Sequence, residues 1–234
     1  MAKILITGAN RGVGLELTRQ LMVDSNHFVF ACCRNPAGAI VVQELIARHG
    51  NGMLVEMDVS TDRSVRAAAE VISAETTSLD ILINNAGILH RNKSLAAIDT
   101  DIAQHQFNIN ATGPVRVAQA FVELLAQGNN PRLVNISSQL ASVSELENGN
   151  WGAYGYNASK AALNVFTRMM ANELKPRGIT VVAMHPGWVQ TDMGGASANV
   201  TPQDSAAGIL NVTHALTIEQ TNQFIVYNGN PHPW

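Results

Sequence analysis

Ile4-Leu5-Ile6-Thr7-Gly8-Ala9-Asn10-Arg11-Gly12-Val13-Gly14 runs from three apolar residues into a turn with three glycines, and Leu15, Leu17, Leu21 and Met22 then recur at helical spacing. Strand, glycine-rich turn and helix in that order are the setting of a dinucleotide-binding turn. Gly8 permits the tight turn, Gly12 lets the backbone approach a pyrophosphate, and Gly14 lets the helix pack against the strand. A P-loop is excluded, since no Gly-Lys-Ser/Thr follows. A glycine turn without a ligand has the same pattern, so its meaning depends on the surrounding chain.

Working outward, Phe28 to Cys33 reads as a second strand ending at Arg34. An acidic residue there would accept from the ribose hydroxyls of NAD; an arginine matches a 2′-phosphate, which Arg11 would approach from the other side. The expected cofactor is therefore NADP(H) in preference to NAD(H). Pro36–His49 reads as a helix with proline in its first turn, Met53–Met57 as a strand running into Asp58-Val59, and Thr61–Thr76 as a helix capped by Thr61 with Val65, Ala68, Val71 and Ile72 as its apolar stripe. Ile81–Ile83 is a strand that enters Asn84-Asn85-Ala86-Gly87. Asp99–Gln127 reads as one long helix, kinked where Asn108 and Asn110 approach Gly113-Pro114. Arg132–Ile136, Thr180–Met184 and Phe224–Tyr227 complete the strands, and Thr201-Pro202 starts a further helix. Continuous apolar strands alternating with helices call for a parallel sheet covered on both faces, with the strand carboxyl ends on one edge. That edge gathers Gly8–Gly14, Asn85, Ser138 and the helix that starts near Tyr156. The whole chain, 1–234, reads as one domain.

In Tyr156-Asn157-Ala158-Ser159-Lys160 a phenol and an ammonium stand four positions apart, hence on one helix face. A nearby positive charge lowers a tyrosine's pKa from near ~10 toward useful acid chemistry. An ordinary helix surface carries the same spacing by chance, so this pair too depends on what converges with it.

Composition narrows the partners. A net charge of −3 over 234 residues gives nucleic acid or an anionic membrane no electrostatic reason to bind. No apolar run is long enough for a signal peptide or a membrane span. The adjacent Cys32 and Cys33 read as reduced core residues, and a cytoplasmic location is expected. Seven histidines are scattered without metal-binding spacing, so no metal is expected.

Taken together, Thr7–Gly14 (TGxxxGxG), Asp58-Val59, Asn84–Gly87 (NNAG), Asn110, Asn135–Ser138 (NISS), Tyr156–Lys160 (YxxxK) and Pro186-Gly187 resemble the short-chain dehydrogenase/reductase family over essentially the whole chain. The compact single-domain branch is the match, and Tyr154–Tyr156, Ser159–Asn164, His185–Gly195 and the final Pro-Trp look like its C-factor-like or sniffer-like carbonyl reductases. The resemblance implies a Rossmann-type doubly wound α/β fold with a seven-stranded parallel sheet of order 3-2-1-4-5-6-7. It also implies a catalytic set: Tyr156 as proton donor to a carbonyl oxygen, Ser138 holding that oxygen, Lys160 lowering the phenol and bonding the nicotinamide ribose, and Asn110 supporting a water of the proton relay. The cofactor contacts it implies are Gly8, Asn10, Arg11, Gly12, Val13 and Gly14; Arg34; Asp58 and Val59; Asn85, Ala86 and Gly87; Tyr156 and Lys160; and Pro186, Gly187, Val189 and Thr191. The implied substrate is a small carbonyl compound. Homodimers or homotetramers through Asp99–Gln127 and Tyr156–Leu174 are expected from the family, and sniffer-like members also include monomers. An oxidising direction, or an NADP-binding signalling role of the C-factor type, fits the same residues.

The interval between Ser138 and Tyr156 is longer than is usual in the family, so residues around Ser144–Trp151 are expected to loop out beside the site. With a flap at 194–199 they would wall the substrate, using Leu140, Trp151, Tyr154, Trp188 and Met193.

Overall fold

The computed structural model describes residues 1–92, 94–146 and 153–234. Seven strands form one wholly parallel sheet: β1 (Ala2–Thr7), β2 (His27–Cys33), β3 (Gly52–Glu56), β4 (Ile81–Asn84), β5 (Arg132–Ile136), β6 (Thr180–His185) and β7 (Phe224–Val226), in the order β3-β2-β1-β4-β5-β6-β7. This is the expected doubly wound order. The sequence reversal beside β1 opens the crevice in which such sheets bind ligands.

Alternation along each strand builds two cores. Ile4 and Ile6 of β1 point to one face and pack with Leu17 and Leu21 of α1 (Gly12–Val23), Val42 of α2 (Ile40–His49) and Ile209 of α7 (Pro202–Ala215). Leu5 points to the other face, where it joins Ile72 of α3 (Asp62–Glu75), Phe121 of α5 (Gly113–Ala126) and Leu174 of α6 (Tyr154–Leu174). A strand buried on both sides has no polar face to spare, which is why the strands read as unbroken apolar runs.

Local chemistry sets the helix ends. Thr61 caps α3 by accepting the Ser64 N–H at 3.3 Å, and Thr201 caps α7 by accepting the Asp204 N–H at 3.0 Å. Three readings need correction. Val71 is 44% exposed, so the stripe of α3 is Val65, Ala68 and Ile72. Pro36–Gly38 is a separate 3-10 turn capped by Asn35, and α2 starts only after Ala39. The long helix is interrupted: α4 (Thr100–Phe107) passes into a π turn at Asn108–Thr112 before α5. The π turn is clamped from outside, because Asn108 Nδ2 donates to Ser60 O at 3.0 Å and Arg116 bonds Asn108 Oδ1 at 3.1 Å and Val59 O at 2.6 Å. Pro114 falls in the first turn of α5, where its missing N–H costs nothing.

Among the described residues, no helix is long and apolar enough to cross a membrane.

Candidate active site

The glycine turn is fixed by its neighbours across the sheet. Gly8 has φ +66°, a left-handed conformation that side chains other than glycine rarely adopt. A Cβ at Gly14 would collide with the Gly8 carbonyl and the Asn85 amide, so only glycine lets α1 start this close to β1. Thr7 Oγ1 accepts the N–H groups of Asn85 and Ala86, both at 3.0 Å, while Asn85 Nδ2 donates to Thr7 O at 2.9 Å and Gly8 O at 3.2 Å. The loops after β1 and β4 are thus one hydrogen-bonded unit.

Ser138, Tyr156, Lys160 and Asn110 come from the end of β5, from α6 and from the π turn. Ser138 caps the 3-10 turn Gln139–Ala141: its Oγ accepts the Leu140 N–H at 3.1 Å, leaving its own O–H to donate. Lys160 is buried, with Nζ 2.7 Å from Ile136 O and 6.0 Å from the centre of the Tyr156 ring. Burial lowers this lysine to about 8. Burial also pushes the Tyr156 phenol above its ordinary value, opposed by the Ser138 hydroxyl and the Arg91 guanidinium. Desolvation is the largest influence on the phenol, and Arg91 is a cation that opposes it.

Asn110 is fully buried, and its amide is spent inside the protein. Nδ2 donates to Ile88 O (2.8 Å) and Ser159 Oγ (3.0 Å), and Oδ1 accepts Ile88 N (2.9 Å). Its side chain braces the loop after β4 against α6, so a water of the relay would have to find another atom of this residue. Behind the site, Asn84 Nδ2 donates to Asn135 Oδ1 (2.9 Å) and Asn135 Nδ2 to Thr167 Oγ1 (2.9 Å), a buried polar chain from β4 through β5 to α6.

A cleft of about 930 Å³ runs along the carboxyl edge. Gly8, Asn10, Arg11, Gly12, Val13 and Gly14 line it together with Arg34, Asp58 and Val59, with Asn85, Ala86 and Gly87, and with Tyr156, Lys160, Pro186 and Thr191; Thr191 packs beside Gly12. The φ of +86° at Gly187 and the close approach of Tyr227 and Val200 set that residue behind the wall, and Val189 is buried in a bridge to Val200. Both stand next in the chain to a lining residue, Gly187 to Pro186 and Val189 to Gln190. The lining also includes Arg19, Asn35, Ile88 and Gln190, whose membership follows from folding and carries no local motif. Arg11 sits 3.9 Å from Asp192, and both line the cleft.

Of the expected substrate walls, Met193 lines the cleft, while Tyr154 and Trp188 are exposed and Leu140 is half-buried. Trp151 and most of its loop lie outside the described residues. Segment 194–199 is a series of turns in which Trp188 Nε1 donates to Gly194 O at 2.9 Å.

A dinucleotide fits these residues: the turn offers bare backbone where side chains would collide, and Arg11 and Arg34 supply positive charge at its end of the cleft. No group of three or more metal-ligating side chains occurs among the described residues.

Residues 2–201 match the family model of short chain dehydrogenases. The chain belongs to the short chain dehydrogenase family. It is thus an oxidoreductase of that family. It is 42% identical to the C-signal of Myxococcus xanthus over 159 residues, covering 68% of this chain and 95% of that protein. Among solved structures it is similar to the NADPH-bound carbonyl reductase from chicken fatty liver (TM-score 0.95, 34% identity, 100% and 99% of the two chains covered). It is also similar to the carbonyl reductase Sniffer of D. melanogaster (TM-score 0.94, 32% identity, 100% of both chains).

Proposed function

We propose that the protein is an NADPH-dependent reductase of aldehydes or ketones, in which Tyr156 is the acid and Ser138 the oxygen-holding donor. The observation that carries this reading is a buried phenol, hydrogen-bonded by the Ser138 hydroxyl, in a cleft that Arg11 and Arg34 also line. NADPH, when bound, supplies the hydride. Tyr156 gives its proton to the substrate oxygen, and the Ser138 hydroxyl and the Arg91 guanidinium, which both favour the phenolate, oppose the burial that makes it a weaker acid. Ser138 donates its O–H to the same oxygen, since its acceptor side already holds the Leu140 N–H. Lys160 spends one N–H on Ile136 O and has two left for a hydroxyl in the cleft. Asn110 keeps the β4 loop and α6 in register.

Arg34 and Arg11 support NADPH over NADH, and both line the end of the cleft where a 2′-phosphate would lie. Two buried free cysteines suit a reducing compartment, the cytoplasm, as the place of action. The 42% identity to a protein named C-signal favours a second reading, a signalling role that uses the bound cofactor, alone or alongside turnover.

NADPH consumption with a panel of aldehydes, ketones and quinones tests the proposal, with Tyr156→Phe alongside. Turnover should fall by about 10²–10⁴-fold in the variant while NADPH still binds. Undiminished turnover would remove Tyr156 from the role. No turnover in a wild-type protein that binds NADPH would favour the signalling reading.

A further inference from the structure

The segment Pro231–Trp234, which follows β7, touches the loop after β5 and the last residue of β6, both of which lead to the cleft. It is docked on the sheet by the His232 N–H, which donates to Phe224 O at 2.8 Å, and by the Phe224 ring, 4.8 Å from the His232 ring and 5.5 Å from that of Trp234. From there it reaches the loop after β5. Ser142, 1% exposed, donates its hydroxyl to the main-chain oxygen of Trp234 at 3.2 Å, and Glu145 lies 3.6 Å from His232 Nε2. The Arg168 guanidinium of α6 lies 5.1 Å from the Trp234 ring centre. The His232 ring is also 5.7 Å from that of His185, the last residue of β6, and Pro186 of the cleft wall comes next.

Ser142 is linked to Ser138 by a single tight turn. Ser138 Oγ accepts Leu140 N, Ser138 O accepts the Ala141 N–H at 2.9 Å, and the Ser142 N–H donates to Gln139 O at 3.0 Å. A rigid turn transmits position, so whatever holds Ser142 also holds Ser138. We propose that Pro231–Trp234 is a positioning clasp that sets where Ser138 presents its hydroxyl to the substrate oxygen, through Ser142 and independently of the cofactor end of the cleft. This inference rests on the carbonyl reductase reading above. Misplacing a catalytic group by about 1 Å can cost on the order of 10²-fold, so a loosened clasp has a measurable effect.

The test is a set of variants read by carbonyl kcat and KM, NADPH Kd and Tm. Trp234→Ala and Ser142→Ala should each lower carbonyl kcat/KM by about tenfold or more with NADPH Kd within about twofold of wild type, and Trp234→Phe should recover most of the loss. In a Ser138→Ala background, Trp234→Ala should cost nothing further, because the clasp acts through the hydroxyl already removed. Unchanged kcat/KM, a parallel loss of NADPH affinity, or a further loss in the Ser138→Ala background would each overturn the clasp. If Trp234→Ala does not fold, Ser142→Ala carries the same cycle. Wild-type protein without carbonyl turnover would overturn the reductase reading and the clasp together, whereas wild-type turnover retained in Trp234→Ala would overturn the clasp alone.

Discussion

Lys160 Nζ donates to the Ile136 carbonyl at 2.7 Å, which ties α6 to the end of β5 two residues before Ser138. The lysine therefore supplies a charge and also holds the strand that presents the serine. Lys160→Met leaves the Ile136 oxygen unpartnered in a buried place. Carbonyl kcat/KM should fall by roughly 100-fold or more, and Lys160→Arg should restore little, because a planar guanidinium does not replace a compact ammonium in a closed pocket. Steady-state kinetics on both variants decide this, and full activity in Lys160→Arg would show that charge alone suffices.

The same lysine makes stability depend on pH. Burial holds it at about 8, whereas in the unfolded chain it titrates near ~10.4. Between those values the unfolded chain binds the extra proton, so stability rises with pH, by at most about 1.4 kcal/mol per unit. Two buried thiols, Cys32 and Cys33, are raised by burial and act in the opposite sense above about 8.5, where the unfolded thiols ionise first, and the raised Tyr156 adds to them above about 10. The urea midpoint of cofactor-free wild type relative to that of Lys160→Met should climb from about pH 8 to 10, since the thiols contribute equally to both proteins; parallel curves for the two proteins would refute it.

Arg34 follows the last residue of β2 and lines the cleft. A charge-assisted hydrogen bond to phosphate is worth roughly 1.5–3 kcal/mol. Arg34→Leu should therefore weaken NADPH by about tenfold or more and leave NADH nearly untouched. Fluorescence titration of both cofactors gives the ratio, and a ratio equal to wild type would remove Arg34 from phosphate recognition.

Asn135 joins Asn84 to Thr167 in the buried interior. Asn135→Ala removes an acceptor from one and a donor from the other, and each unmade buried bond costs about 1–3 kcal/mol. Urea unfolding should show a loss of about 2–4 kcal/mol; a loss below about 1 kcal/mol would mean that water or repacking replaces the amide.

Much of this fold was legible because its strands are buried on both faces. Ile4–Ile6 and Ile81–Ile83 have no polar partner to disguise them, and the glycines of the first turn recur at positions where a side chain would collide. Tyr156 and Lys160 were found by helical spacing, a local property. What escaped depends on contacts between distant residues. Arg91 acts on Tyr156 from a loop 65 positions away in sequence, and Thr7 locks Asn85 from 78 positions away. The π turn escaped for a related reason: Arg116 and Ser60 hold Asn108 from outside its own helix.

β1 sits inside the sheet, and its second neighbour, β4, is far along the chain: Lys3 and Asp80, 77 residues apart, are joined by a hydrogen bond at the base of that pair. On a ribosome adding about 5–20 residues per second, β1 waits roughly 4–15 s for β4 to be made. During that interval Ile4–Ile6 can pair only with β2, and one apolar edge of the growing sheet stands open to other nascent chains or to a chaperone. The central place of β1, which puts the glycine turn at the crevice, thus leaves the first strand made with one open edge until β4 arrives.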